Sequence, residues 1–214
     1  MLPLANRHPS LATSRFAAAF TLIELLVVIA IIAVLATLGY AAADSVIGKG
    51  HATKCLSNMR QIGAAMQMFV GDNDGKLPGT SHGVSWTNSL GAYLGTNFIG
   101  KCPAVPEHRA RVSYGWNDSL APAGKGIRMI ASRTPSATMA VAELATNQSS
   151  EHFHFAGGRG GAGRITPNQF KAAVNVEVHN GSANYLFVDG HAENLAWTEV
   201  QRRLRQTGTT FLVP

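Results

Sequence analysis

Residues 20–43 read FTLIELLVVIAIIAVLATLGYAAA, with a single acidic residue, Glu24, near the front. Between Glu24 and Asp44 lie nineteen residues without a charge. A helix of that length covers ~29 Å, about the hydrocarbon thickness of a bilayer, so the stretch is expected to span a membrane. The flank before it, residues 1–19, carries Arg7 and Arg15 and no acidic residue. It is therefore expected to stay cytoplasmic, with the rest of the chain outside. A carboxylate inside such a helix costs roughly 2.5–3.5 kcal/mol on insertion scales. Glu24 therefore asks for a partner or a function, since buried charges persist mainly when paired.

Beyond the span the helical pattern continues. Cys55, Met59, Ile62, Met66 and Phe69 recur at intervals of four, three, four and three. Lys54, Asn58, Gln61 and Gln67 point elsewhere, which predicts an amphipathic helix over residues 44–70 with one apolar face for the following domain. Gly39, Gly48 and Gly50 weaken the helix by ~1 kcal/mol each relative to Ala. The run Gly71-Asp72-Asn73-Asp74-Gly75 ends it.

From Gly75 onward Gly, Pro, Ser and Asn punctuate short apolar runs. Strands are predicted at residues 112–116, 138–143 and 151–155, and a closing helix at residues 197–204. The strongest hairpin signal joins residues 184–188 to residues 191–195 through Asp189-Gly190, a pair that fits a two-residue type I′ turn. The expected architecture is α+β: a long N-terminal helix packed on a small antiparallel sheet with long loops.

The 214 residues leave room for one extracytoplasmic globular domain, residues 71–214, beyond the helix. The formal charge is +6, and it falls to +4 once Arg7 and Arg15 are set aside. So mild and dispersed an excess argues against a nucleic-acid partner. Arg202, Arg203 and Arg205 form the one cluster, and on a short helix they read as a solvated face.

Sharper chemistry is tested against spacing. His152 and His154 alternate along a predicted strand, and His179 and His191 are candidates to join them, but neither HExxH nor a Cys/His finger spacing is present. No metal ligand is assigned, and surface or turn histidines are the expected outcome. Asp72, Asn73 and Asp74 fail the EF-hand register, because Lys76 falls at the fifth position and Leu77 where Gly is required. Gly158, Gly160 and Gly163 spell GxGxxG, yet Pro167 interrupts the helix a dinucleotide site needs and Glu177 comes too early. No Gly-Lys-Ser/Thr and no GxSxG follows. No cofactor and no catalytic set are implied. Cys55 and Cys102, the only cysteines, would lie where disulfides persist. They are candidates for a bridge, while Cys55 also fits the apolar stripe as a small buried residue.

Ala19-Phe20-Thr21-Leu22-Ile23-Glu24-Leu25 resembles the processing site of type IV prepilins and type II secretion pseudopilins. The resemblance implies that residues 1–19 are a leader removed by prepilin peptidase. The cut falls between Ala19 and Phe20, the new amine of Phe20 is methylated, and Glu24 guides assembly. Ala19 departs from the Gly usual before the cut. A second likeness lies in His179, nine residues, then Asp189-Gly190, which matches the H-X9-DG pattern of a C-terminal domain found with prepilin-type leaders. Residues 54–63, Lys101-Cys102-Pro103 and Ser113-Tyr114-Gly115-Trp116-Asn117 are similar to the same family. The resemblance implies a non-enzymatic subunit of a type II secretion pseudopilus or related pilus. It would be anchored once in the inner membrane by residues 20–43 and then drawn into a filament with other copies or other pseudopilins.

Two plainer readings stand beside it. One is a signal peptide cut after Ala41-Ala42-Ala43, and the other is an uncleaved anchor in which Glu24 is incidental. Either would make the chain an anchored or exported binding or hydrolytic domain, with His152, His154, His179 and His191 as the residues to suspect.

Overall fold

The structure, a computed structural model, describes residues 21–80, 83–95, 100–105, 110–153 and 165–214, with the backbone alone over residues 38–45. In chain order its elements are α1 (Leu22–Asp72), α2 (Trp86–Ser89), α3 (Gly91–Leu94), β1 (Tyr114–Asn117), β2 (Met139–Glu143), β3 (His152–Phe153), α4 (Pro167–Ala173), β4 (Ser182–Phe187), β5 (Ala192–Ala196) and α5 (Trp197–Arg205). The chain divides into two compact units, Met1–Asp44 and Ser45–Pro214. Ala19, Phe20, His154 and the glycine-rich residues 157–164 lie outside the described residues.

In the first unit every described side chain from Thr21 to Thr37 is exposed, including Leu22 at 80% and Leu35 at 62%. The helix starts on a capping box. The Thr21 hydroxyl accepts from the Glu24 amide at 3.3 Å, and the Thr21 amide and hydroxyl donate to Glu24 Oε2 at 2.9 and 2.8 Å. Among the described residues no helix is long and apolar enough to cross a membrane. The uncharged run is described at its side chains only from Leu25 to Thr37, which is ~20 Å at helical rise.

The second unit is built on a five-stranded sheet in the order β3-β1-β2-β4-β5. It is antiparallel except where β3 runs parallel to β1, pairing Trp116 with His152 and Asn117 with Phe153. The α+β expectation holds, and the edge pair makes the sheet mixed. Alternation along β4 sends Leu186 to the face covered by α1 and Ala183, Tyr185 and Phe187 to the other. That second face is covered by α4, α5 and the C-terminal Phe211 and Leu212. Covered on both sides, β1 and β2 are buried at every position and carry no polar-out alternation. The helix α4 begins where Thr166 and Gln169 form a capping box and Pro167 takes the first turn, a position that needs no N–H.

The α1 stripe packs as its period requires. Cys55, Met59, Ile62 and Met66 are fully buried, Phe69 is partly buried, and Lys54 and Gln61 are exposed. Two polar residues depart from the expected pattern. Asn58 is buried and donates to the Tyr114 hydroxyl at 3.0 Å, and Gln67 donates to the Val188 carbonyl at 3.3 Å. Both turn toward the domain because each finds an acceptor there, and a hydrogen-bonded polar group can be covered at little net cost.

The β4–β5 turn is also not the one expected. Val188, Asp189 and Gly190 form a three-residue loop in which Gly190 donates to the Phe187 carbonyl and Phe187 to the His191 carbonyl, both at 2.9 Å. Gly190 alone of the three has positive φ, at 91°. This is a tight turn followed by a left-handed glycine. Val188 explains the difference: its buried side chain belongs to the core and makes it the first loop residue.

Candidate functional site

Three places carry the residues singled out by sequence: the front of α1 and the two ends of β4. At the front, Glu24 has a local partner in Thr21, and both hydrogen bonds it accepts use Oε2. The signal for this was present as Thr-x-x-Glu, the sequence form of the capping box.

The H-X9-DG pattern is divided by a strand. His179 sits in the turn before β4 and Asp189-Gly190 in the turn after it. The six residues of β4 set them ~20 Å apart along the strand. They share no site, and each end instead meets α1. At the hairpin end Gly63 of α1 faces Gly190, where a Cβ on Gly63 would lie 2.5 Å from the Gly190 carbonyl oxygen and 2.8 Å from Leu186. A Cβ on Gly190 would meet Gln67 at 2.9 Å. Only glycine at both positions lets helix and turn approach this closely. Asp189 finishes the turn: its Oδ1 accepts from the His191 amide at 3.2 Å and lies 2.6 Å from His191 Nδ1. The His191 ring stacks on Phe187 at 4.4 Å.

At the other end, Cys55 of α1 is bonded to Cys102, with Cα atoms 5.5 Å apart. Cys102 is held in turn by Ser113, whose hydroxyl accepts from its amide at 3.0 Å. His179 Nε2 lies 3.9 Å from Cys102 Sγ and 2.8 Å from Glu143 Oε1. Both the His179 and Glu143 side chains are 2% exposed. Glu143 Oε2 accepts from the Asn184 amide at 2.8 Å, and the Asn184 side chain donates to the Ala52 carbonyl of α1 at 3.2 Å. Burial pushes the Tyr114 and Tyr185 hydroxyls well above their ordinary range, and the Glu143 carboxylate adds to the shift. Sequence reasoning missed Glu143 and Asn184. The only mark of Glu143 was a charge closing an otherwise apolar strand.

The contacts of β4 and the turn after it with α1 run from Ala52 to Gln67, ~22 Å of helix, which matches the strand they bracket. Helix and strand are thus joined by a clamp with one catch at each end of β4, Asn184 on Ala52 and the Val188–Gly190 turn on Gly63 and Gln67.

The remaining candidates disperse. His152 is buried in β3 and His191 is half-exposed at the hairpin, so with His179 they occupy separate places. Asp72 accepts from the Tyr93 hydroxyl at 3.0 Å, and the Asp74 carbonyl accepts from Arg128 at 3.1 Å, so these groups serve the turn after α1. Arg202 and Arg203 bind Glu199 at 2.7 and 2.8 Å, and Arg203 also reaches Glu193 at 3.1 Å. The Arg202 bond foremost, then Arg203, hold the Glu199 carboxyl down at about 2.

Residues 14–40 match the family of the prokaryotic N-terminal methylation motif, which supports the prepilin-like reading of the leader. No curated protein and no solved structure matches the chain.

Proposed function

We propose that this chain is a pseudopilin-like structural subunit. Prepilin peptidase cuts it between Ala19 and Phe20 and methylates the new amine. The mature chain then leaves the inner membrane for a type II secretion pseudopilus or related filament. The observation that carries this reading is the methylation motif at residues 14–40, which ends within the front half of α1, where every described side chain from Thr21 to Thr37 is exposed.

The physical logic runs from charge to stacking. Cleavage before Phe20 places a positive amine at the edge of lipid, where it needs a counter-charge. Glu24 caps its own helix through Oε2, and Oε1 accepts no hydrogen bond among the described residues. One carboxylate therefore suffices to hold its own first turn and to receive a neighbour's amine. Residues 20–43 span the membrane in the precursor, with residues 1–19 cytoplasmic and the domain outside, and form the filament core afterwards. Repetition of one heterologous contact builds a fibre of any length. In this reading the domain from Ser45 onward is the coat of the filament and carries no catalysis.

Mass spectrometry of the amino-terminal peptide from native membranes tests the proposal. A peptide beginning with N-methylated Phe20 is expected. One beginning at Met1 leaves a plain anchor, and one beginning at Asp44 leaves an exported domain.

A further inference from the structure

We propose that the buried group Cys55, Cys102, Glu143 and His179 is a zinc site when its cysteines are reduced, and that the disulfide is the closed, metal-free state of the same four side chains. This does not rest on the filament reading.

The four residues each turn one ligand atom to a common point, with all four atoms within 4.8 Å of one another and all four residues buried. They are two sulfurs, an imidazole nitrogen and a carboxylate oxygen, the donor classes that zinc prefers. Zn–S bonds of ~2.3 Å and Zn–N or Zn–O bonds of ~2.0–2.2 Å put the corners of a tetrahedron ~3.3–3.8 Å apart. The present 3.9 Å between His179 Nε2 and Cys102 Sγ is close to that spacing. The 2.8 Å between His179 Nε2 and Glu143 Oε1 widens by under an ångström when a metal replaces the shared proton.

The supporting contacts are in place. Glu143 is held through Oε2 by the Asn184 backbone amide at 2.8 Å, and its Oε1 also accepts from the Asn184 side-chain amide at 3.4 Å, so Oε1 can turn from proton to metal without loosening the carboxylate. His179 is fixed by its own backbone, whose amide donates to Ser182 at 2.9 Å and whose carbonyl accepts from the Ser182 hydroxyl at 2.7 Å. His179 Nε2 faces the Glu143 carboxylate at 2.8 Å and Nδ1 has no partner among the described residues, so the ring proton moves to Nδ1 when a metal takes Nε2. Ligating histidines ordinarily donate that second N–H, and loss of such a partner lowers metal affinity by about 10–100-fold. The site is therefore weaker than a fully supported structural zinc site by about that factor.

The chemistry balances. A dithiol gives two electrons and two protons to the Cys55–Cys102 bond and becomes a disulfide itself. Zn(II) then displaces the two thiol protons to solvent and keeps its oxidation state. Two thiolates and one carboxylate leave the occupied site one negative charge, facing the Asn184 amide dipole.

The test uses the full chain in detergent, reduced in denaturant with a phosphine and refolded by dilution with Co(II). The expected result is one Co(II) per chain, tetrahedral d–d bands, a thiolate-to-cobalt charge-transfer band, and displacement by Zn(II). His179→Ala should weaken binding by at least about 100-fold, and Glu143→Gln, which keeps the size but loses the charged ligand oxygen, by about 10-fold or more. His191→Ala, at the far end of β4, should leave it unchanged, and oxidised protein should bind no cobalt. The proposal is overturned if reduced chain shows no charge-transfer band, if His179→Ala binds as the parent does, or if the reduced chain fails to regain its buried-tryptophan emission with either metal.

Discussion

The two halves of α1 make opposite use of the same secondary structure. From Thr21 to Thr37 the described side chains are apolar almost throughout and all exposed. From Cys55 to Val70 the apolar stripe Cys55, Met59, Ile62 and Met66 is fully buried, while Met68 on the opposite face is 50% exposed. An amphipathic helix finds its partner within its own chain, whereas one apolar all round must take lipid or another copy as its partner. In the reading proposed above, the first half therefore carries the outward-facing function, while the second carries the stability of the domain.

The largest expected effect breaks the first half only. Glu24→Ala should leave the protein in the membrane fraction and abolish its recovery in sheared filaments, because the amine of the next subunit loses its counter-charge. Normal incorporation of the variant would remove charge pairing from the mechanism. Matched truncations sharpen the contrast. Ile62→Ala opens a cavity in a closed core and should cost about 2–5 kcal/mol in unfolding of the domain, read from the emission of Trp86 and Trp116, both buried. Ile32→Ala, 58% exposed, should move the same transition by no more than about 0.5 kcal/mol.

A smaller effect probes one catch of the clamp. Gly63→Ala forces a methyl against the Gly190 carbonyl and Leu186, and overpacking of this kind costs about 1–3 kcal/mol. Gly71→Ala, where nothing lies within 4 Å of the added carbon, is the control that should not destabilise. The smallest effect lies far from α1. Since the folded Glu199 carboxyl sits at about 2, below its ordinary 4.5, its contribution is complete above about 4.5 and disappears as pH falls through 2. Glu199→Gln should flatten acid unfolding slightly in that window. The difference should shrink with added salt, as expected for an exposed pair.

Much of the candidate site was legible as position and little of it as contact. Glu24, Cys55, Cys102, His179, Asp189 and Gly190 could all be marked in the sequence. Yet the sequence does not show that His179 and Asp189 stand at opposite ends of one strand, or that Glu143 rather than a second histidine is the partner of His179. A polar residue on a helix reads as solvent-facing until an acceptor appears opposite it. Asn58 and Gln67 turned inward for that reason.

Local pattern by itself determined the length of α1, its uncharged front, its arrest at Gly71-Asp72-Asn73-Asp74-Gly75, the places of the strands and the site of the hairpin. These depend on period, charge gaps and turn residues that neighbours in the chain supply. Tertiary structure decided the parallel edge strand, the three-residue turn and the meeting of Cys102 with His179 across 77 positions and of His179 with Glu143 across 36. Such pairs form only when the helix is laid on the sheet and water is excluded between them, and no run of neighbouring residues encodes which distant group will arrive.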